Sequence, residues 1–600
     1  MENVYRLIDS HRARYDMEHW EGTFREYLGR VVENPHWSRL AHARLYDMIR
    51  SHGVEYDEEN GIERYRFFQD HLFGIDEALA QVMEYFKSAA VGSDVRRRIL
   101  LLYGPPASGK SELVTLLKRG LEEYSRTEEG ALYAIATCPQ HEEPLHLIPH
   151  PLRPKFREEY GIHIEGDLCP RCALDLREKY NNDIYQVPVK RIFISERDRV
   201  GIGTFVPSDP KTQDIAELVG SIDLARVGEY GAESDPRAYR FDGELNVANR
   251  GLMEFIEMLK ADEKFLYVLL TLAQERNIKT GRFPLIYADE CVISHTNEPE
   301  FREFLSDERS EALQDRMIAV KIPYNLKVSQ EIRIYDKLLK QVTDRSVHIA
   351  PHTLRVAAMF AVLTRLEEPT HASLTKIKKM KLYDGEEVEG FTQKDVRRIK
   401  AEAQREGMDG ISPRFIVNRL STALIRPGVQ CVTPIDALRA IKEGIDNHPG
   451  LDRKQKEEYA GLIADVRKEY DEIARTDVQK SFFVSFEDEI QTLLNNYLDN
   501  VEAYLDDRKV IDPITGEEQP PDERLMRSIE EKVGVSASGK DSFRNEIFRK
   551  YAITQRRGEK FDYSTHEKLR EALEKQLFEE RRDTIKLTVS ARNPDEEQLK

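Results

Sequence analysis

YGPPASGKSEL, residues Tyr103–Leu113, decides the fold. Within it, Gly104-Pro105-Pro106-Ala107-Ser108-Gly109-Lys110-Ser111 fits the pattern G-x-x-x-x-G-K-[ST] in full. The glycines let the backbone curl so that successive amide N–H groups point inward at phosphate oxygens. The positive N-terminal end of the following helix adds to them. Lys110 is placed to reach the β- and γ-phosphates, and Ser111 to offer its hydroxyl to Mg2+. The flanks agree with this reading. RRRILLLYG reads as a buried strand entering the turn, and Leu113, Leu116, Leu117 and Leu121 mark one face of a helix leaving it. The stretch predicts a nucleoside triphosphate site. It is silent on whether the terminal phosphate passes to water or to a protein hydroxyl.

Six hundred residues exceed one ordinary core, so about three or four domains are expected. The net charge of −18 argues against a protein that coats nucleic acid. With 33% charged and 40% hydrophobic residues the chain reads as soluble and globular. The apolar run FLYVLLTLA from Phe265 is far too short to span a bilayer. Met1 opens a charged, helix-like segment in place of a signal peptide. Five cysteines, an odd count, fit a reducing, cytoplasmic setting, where clustered cysteines are read as metal ligands before disulfides.

Residues 1–66 read as an N-terminal helical region, with GTFREYLGRVV at helical spacing and Asn34-Pro35 breaking it. FGIDEALAQVMEYF follows as an amphipathic helix. Strand patterns at VPVKRIFIS and FPLIYADECVISHTN flank the long GELNVANRGLMEFIEMLK segment, and strands alternating with helices argue for an α/β layer with a parallel sheet over 67–350. Strand signals then fade. A helical lid is expected over 351–425, with RPGVQCVTP as a break, and a charged helical region over 426–600, interrupted by the loop VIDPITGEEQPPDE. Ser564 and Glu567 form a capping-box pattern before Leu569, Ala572, Leu573 and Leu577. Trp20 and Trp37 read as core, and Arg96, Arg97 and Arg98 as exposed.

Between 136 and 190 lies an insertion rich in Cys, His and Pro, with little periodicity. Cys138-Pro-Gln-His141 and Cys169-Pro-Arg-Cys172 are two pairs at x2 spacing, which together supply four ligands for a tetrahedral, structural Zn2+. His146, His150 and His163 compete for the fourth place. Four protein ligands leave no open position for catalysis. The intervening polar segment lacks a core pattern, so a metal would help to hold it. Cys291 and Cys431 are isolated and read as small core residues.

Further segments resemble the AAA+ ATPases. LVGSIDLARVGEYGAESDPRAYRFDGELNVANRG is similar to the region before the Walker B strand of magnesium-chelatase-like and enhancer-binding-protein-like members. ADECVISHTN resembles the sensor 1 strand, with Asn297 at its tip. EALQDRM resembles the arginine-finger segment, which implies Arg316, with Arg309 as a second candidate. GISPRFIVNRL resembles the sensor 2 helix and implies Arg414. Nearly end to end, the chain resembles the PrkA family of bacterial serine protein kinases, on WEGTFREYL, LHLIPH, GIGTFVPSDPK, EYGAESDPRAYRFDGELN, KIPYNLKVS, APHTLRVAAMF and YLDNVEAY. That resemblance implies a cytoplasmic, ATP- and Mg2+-dependent homo-oligomer acting on protein substrates or partners, with attributed Ser/Thr kinase activity and links to stress or sporulation. It also implies that family members run somewhat past Lys600.

One departure stands out. A standard Walker B strand ends in Asp-Glu, the Asp holding Mg2+ and the Glu activating the attacking water. Aligning ANRGLMEFIEM with it puts Ile256 at the Asp position and Glu257 at the Glu position, with Glu254 available in a shifted register. Asp289-Glu290 in LIYADE is a rival that fits the pattern literally, although Asn297 then follows on the same strand. The residues show no H-R-D and no D-F-G, so the kinase assignment rests on the resemblance. A protein-remodelling ATPase or scaffold is the alternative, with a Ser-Lys protease a variant of it. Ser221 in VGSID is the serine to test there, although no G-x-S-x-G elbow accompanies it.

Overall fold

Ile99–Tyr103 is an apolar run covered on both faces, as a strand inside a parallel sheet must be. In the computed structural model it is β1, followed by β2 (Ile202–Phe205), β3 (Leu252–Ile256), β4 (Cys291–Thr296) and β5 (Met317–Lys321). The structure describes the chain from residue 19, except 58–60, 208–213, 280–283, 343–346, 372, 486, 512–517, 533, 537–538, 557–560, 562–568, 571, 574 and 577–600. Two compact units divide it, residues 1–466 and 467–600.

The five strands lie in the order β5-β1-β4-β3-β2, and every neighbouring pair is parallel. The order fixes two edges. Gly104, Glu257, Asn297 and Ile322 follow the strands' C-terminal ends. Gly251, Glu290 and Arg316 precede their N-terminal ends. One face packs Leu45, Val82, Phe86, Leu113, Leu117 and Leu121 against Leu100, Leu102 and Ile293. The other packs Phe265, Leu269 and Leu272, from helix Glu263–Glu275, against Met253, Phe255 and Val292.

The N-terminal region is helical at Phe24–Glu33, closed by the Thr23–Glu26 capping box, and at Ala41–Ser51. It also carries a hairpin, Val54–Asp57 with Ile62–Tyr65. VPVKRIFIS does form a strand, Pro188–Ile192, but in a separate antiparallel sheet with Glu21–Thr23 and Leu132–Ile135. The insertion is therefore not coreless. Phe24, Tyr27, Val31 and Trp37 close over Tyr133, Leu145, Ile148, Val189 and three cysteines. Its apolar residues sit on short 3-10 turns such as Pro144–Leu147 and so show no helical or strand period. Arg97 is exposed, whereas Arg96 is mostly covered and pairs with Glu165 at 2.7 Å.

Helices Val328–Val342, Thr353–Arg365, Pro413–Leu424 and Pro434–Asp446 pack together as a lid after β5. At their centre Arg365 and Glu331 pair at 2.7 Å, both fully buried. In the second unit, helices Glu487–Leu505, Glu523–Lys532 and Lys540–Arg556 surround Leu494, Tyr497, Met526, Ile529 and Ile547. Ser564, Glu567 and Leu577 lie outside the described residues. Among the described residues, no helix is long and apolar enough to cross a membrane.

Candidate nucleotide site and metal centre

The phosphate loop opens at the C-terminal edge of the sheet, between β1 and helix Lys110–Tyr124. Gly104 is required by close approach, since a Cβ there would meet Ile322 O at 2.1 Å. Gly109 has φ +101 and Ala107 φ +63, the curl that turns amide groups inward. Lys110 Nζ donates to the carbonyls of Gly104 and Pro105, both at 2.8 Å. Burial pushes this ammonium down to about 8, opposed by the charges of Glu257 and Glu300. Ser111 is exposed at the start of the helix. From beyond β5, Tyr324 donates its hydroxyl to Pro106 O at 2.8 Å.

The candidate carboxylates separate by position. Glu257 follows β3 at this edge in the left-handed region, φ +47, and pairs with Lys260. Glu254 lies within β3, buried, 2.5 Å from Lys118 Nζ and 3.2 Å from His295 Nε2. Its carboxyl is raised by burial but lowered more by His295 and Lys118, and sits below its ordinary value. Lys118 is held further by Thr204 and Glu196, so Glu254 belongs to a charge cluster between β3, β4 and the P-loop helix. Asp289 and Glu290 sit at the opposite edge. Asp289 pairs with Arg276 at 2.7 Å and accepts from the Ala41 N–H. Glu290 is buried with neither oxygen partnered, and burial raises its carboxyl well above the usual range.

Asn297 follows β4 and caps helix Glu298–Ser306 without a side-chain cap bond. Arg316 stands before β5, donating to Ala312 O at 2.5 Å, about one strand length or 15 Å below the P-loop edge. Arg414 is exposed in the first turn of lid helix Pro413–Leu424, and its charge reaches Tyr324. The side chain of Arg309 lies outside the described residues. Glu300 was not singled out by the sequence. It sits one turn past Asn297, with Phe301 stacked on Tyr103 at 4.2 Å.

In the insertion, Cys138, Cys169 and Cys172 are brought together, and the fourth member is Glu142, not His141. One ligand atom from each lies within 4.8 Å of the others, and all four residues are buried. Cys138 Sγ and Cys169 Sγ are 3.9 Å apart. Sulfurs about 2.3 Å from a tetrahedral zinc stand about 3.8 Å apart, so the donor set fits that metal. His141 stands outside this group in the left-handed region, φ +54, with its Nδ1 buried and without a hydrogen-bond partner. His146 Nδ1 lies 3.1 Å from Glu142 Oε1 and orients that carboxylate. His150 and His163 pair on the surface with Asp167 and Glu165.

The PrkA AAA domain matches residues 22–373, and the PrkA serine protein kinase C-terminal domain matches 377–600. The chain belongs to the PrkA family. Its PrkA-family relatives include "ATP-dependent protease PrkA" of Bacillus subtilis, 53% identical over 100% of this chain and 95% of that one. "Serine/threonine kinase YeaG" of Escherichia coli K12 is 30% identical over 90% of this chain and 84% of its own. The two printed names conflict. A solved complex of magnesium chelatase subunits BchI and BchD aligns at 16% identity over 65% of this chain and 98% of that one, with a TM-score of 0.26, too low to carry an argument. The PrkA AAA domain supports ATP-dependent activity, and the α/β core with its helical lid is of AAA+ type.

Proposed function

We propose that the site binds Mg-ATP and moves its γ-phosphoryl group under the control of Glu257, as a slow switch or a protein kinase. The observation that carries this is the phosphate loop at the C-terminal edge of the sheet, with Lys110 seated on the Gly104 and Pro105 carbonyls and Glu257 following β3 at the same edge. The P-loop amides and Lys110 hold the phosphates. Ser111 and a carboxylate at this edge would hold Mg2+, which when bound neutralises charge on the transferring group. In this reading Asn297 would orient the attacking oxygen, and Arg414 would be brought to the phosphates by the lid.

In the kinase reading, a seryl or threonyl oxygen bonds to the γ-phosphorus, the bond to the β–γ bridging oxygen breaks, ADP leaves and Glu257 takes the hydroxyl proton. With water as nucleophile the same step is hydrolysis. Ile256 in place of the usual Asp supports slow hydrolysis, which suits both uses. The name of the Escherichia coli relative favours transfer to protein. Lys110→Ala should abolish ATP hydrolysis and phosphoserine formation together, while Glu257→Gln should impair hydrolysis most. If no preparation free of other kinases yields phosphoserine, the remodelling reading replaces the kinase.

A protease reading is favoured by the name of the Bacillus subtilis relative. Its candidate, Ser221, lies in a two-residue strand paired with Tyr239–Arg240. Cleavage that survives Ser221→Ala removes that candidate. Arg316, far from its own P-loop, supports a homo-oligomer in which it reaches a neighbour's nucleotide. The cysteine centre is read as structural zinc.

A further inference from the structure

Lys260 lies in the 3-10 turn Met258–Lys260, three residues past Glu257, so that its ammonium folds back on that carboxylate. The same nitrogen is 3.6 Å from Glu300 Oε1, on the helix that follows β4. Glu300 Oε2 is buried and has no hydrogen-bond partner. Two facts follow from these contacts. An ammonium seated on Glu257 occupies the carboxylate that is to accept the hydroxyl proton. A second acceptor stands within reach, with one oxygen already desolvated and unsatisfied, a state that favours gaining a donor. The ion pairs are half-exposed, and pairs of that kind exchange at little cost.

We propose that Glu300 is a positioning residue for Glu257: it offers Lys260 a second seat, and movement of the ammonium from Glu257 to Glu300 frees Glu257 to accept a proton. This rests on the reading of Glu257 as the activating carboxylate. Lys110 of the P-loop helix feels the charges of both Glu257 and Glu300.

The test uses the full chain with labelled ATP and a free-phosphate assay. Glu300→Gln removes the second seat, and is expected to lower kcat by roughly three- to tenfold with KM and ATP affinity unchanged. Lys260→Met removes the latch and should raise basal turnover. In the double variant the Glu300→Gln defect should disappear, because no ammonium remains to be moved. Glu300→Asp should restore part of the rate. An equal loss from Glu300→Gln with and without Lys260 overturns the proposal, as does a loss of ATP affinity that tracks the loss of rate. Glu257→Gln separates the two levels. If it retains full turnover, the activating role of Glu257 fails and the latch with it. If it is inactive while Glu300→Gln is normal, only the latch fails.

Discussion

Lys118 of the P-loop helix and Glu254 of β3 form an ion pair of 2.5 Å in which both side chains are less than a tenth exposed. The pair ties the helix that carries Lys110 to the strand that carries Glu257. Both Glu254 oxygens are engaged, one by Lys118 and the other by His295.

Breaking a buried pair by removing one partner leaves an uncompensated charge, at a cost of about 3–5 kcal/mol. Lys118→Met should therefore lower the melting temperature sharply. Because the Glu254 carboxyl is held below its ordinary value of 4.5, its contribution is present above that pH and is lost as pH falls through the depressed value. Thermal melts of the wild type and Glu254→Gln should differ at pH 7 and converge below about 4.5. A constant gap down to pH 3 would contradict this.

Lys110 near 8 predicts a proton signature on nucleotide binding. Phosphate favours the ammonium form, so at pH 8 binding should take up roughly half a proton, and almost none at pH 6. Calorimetry in buffers of different ionisation enthalpy measures this. Identical heats at pH 8 would exclude it. Lys110→Ala should lose ATP binding with its circular dichroism spectrum unchanged.

The metal centre gives a choice between neighbours. Purified protein should carry about one zinc per chain by elemental analysis. Cys172→Ser and Glu142→Gln should lower zinc content and melting temperature, whereas His141→Ala should leave both in place. Loss of zinc from His141→Ala alone would reverse the ligand assignment.

The distance from Arg316 to its own P-loop predicts complementation between subunits. Arg316→Ala should bind ATP and hydrolyse it poorly. Mixed with Lys110→Ala, it should regain activity, since one hybrid interface joins an intact loop to an intact arginine. Full activity in a strict monomer would rule this out.

The phosphate loop was legible because its chemistry is local: eight consecutive residues with a strand before and a helix after. The strand Cys291–Thr296 and the helices Thr353–Arg365 and Pro413–Leu424 were legible in the spacing of their apolar residues, whereas helices Val328–Val342 and Pro434–Asp446, which pack with them, fall outside the expected lid of 351–425. The partners of Glu254 were not, because Lys118, Glu254 and His295 meet only when three elements pack. The literal LIYADE match misleads for a related reason. Strand direction decides which end of the sheet a motif occupies, and β4 begins after Glu290. Glu142 escaped notice because only Cys and His were weighed as ligands, and its carboxylate meets the three sulfurs only once the insertion folds. Glu300 required knowledge of where Lys260 points.

The hydroxyl of Tyr324 holds Pro106 O, while its amide donates to Gly407 O at 2.7 Å, in the stretch between lid helices. A single residue thus clasps the phosphate loop and the lid. Thermodynamic reciprocity then applies: by whatever factor ATP shifts the lid equilibrium, an agent that shifts the lid must alter ATP affinity by the same factor. A protein partner that grips only the outer helices would be an allosteric effector of nucleotide affinity without touching the nucleotide.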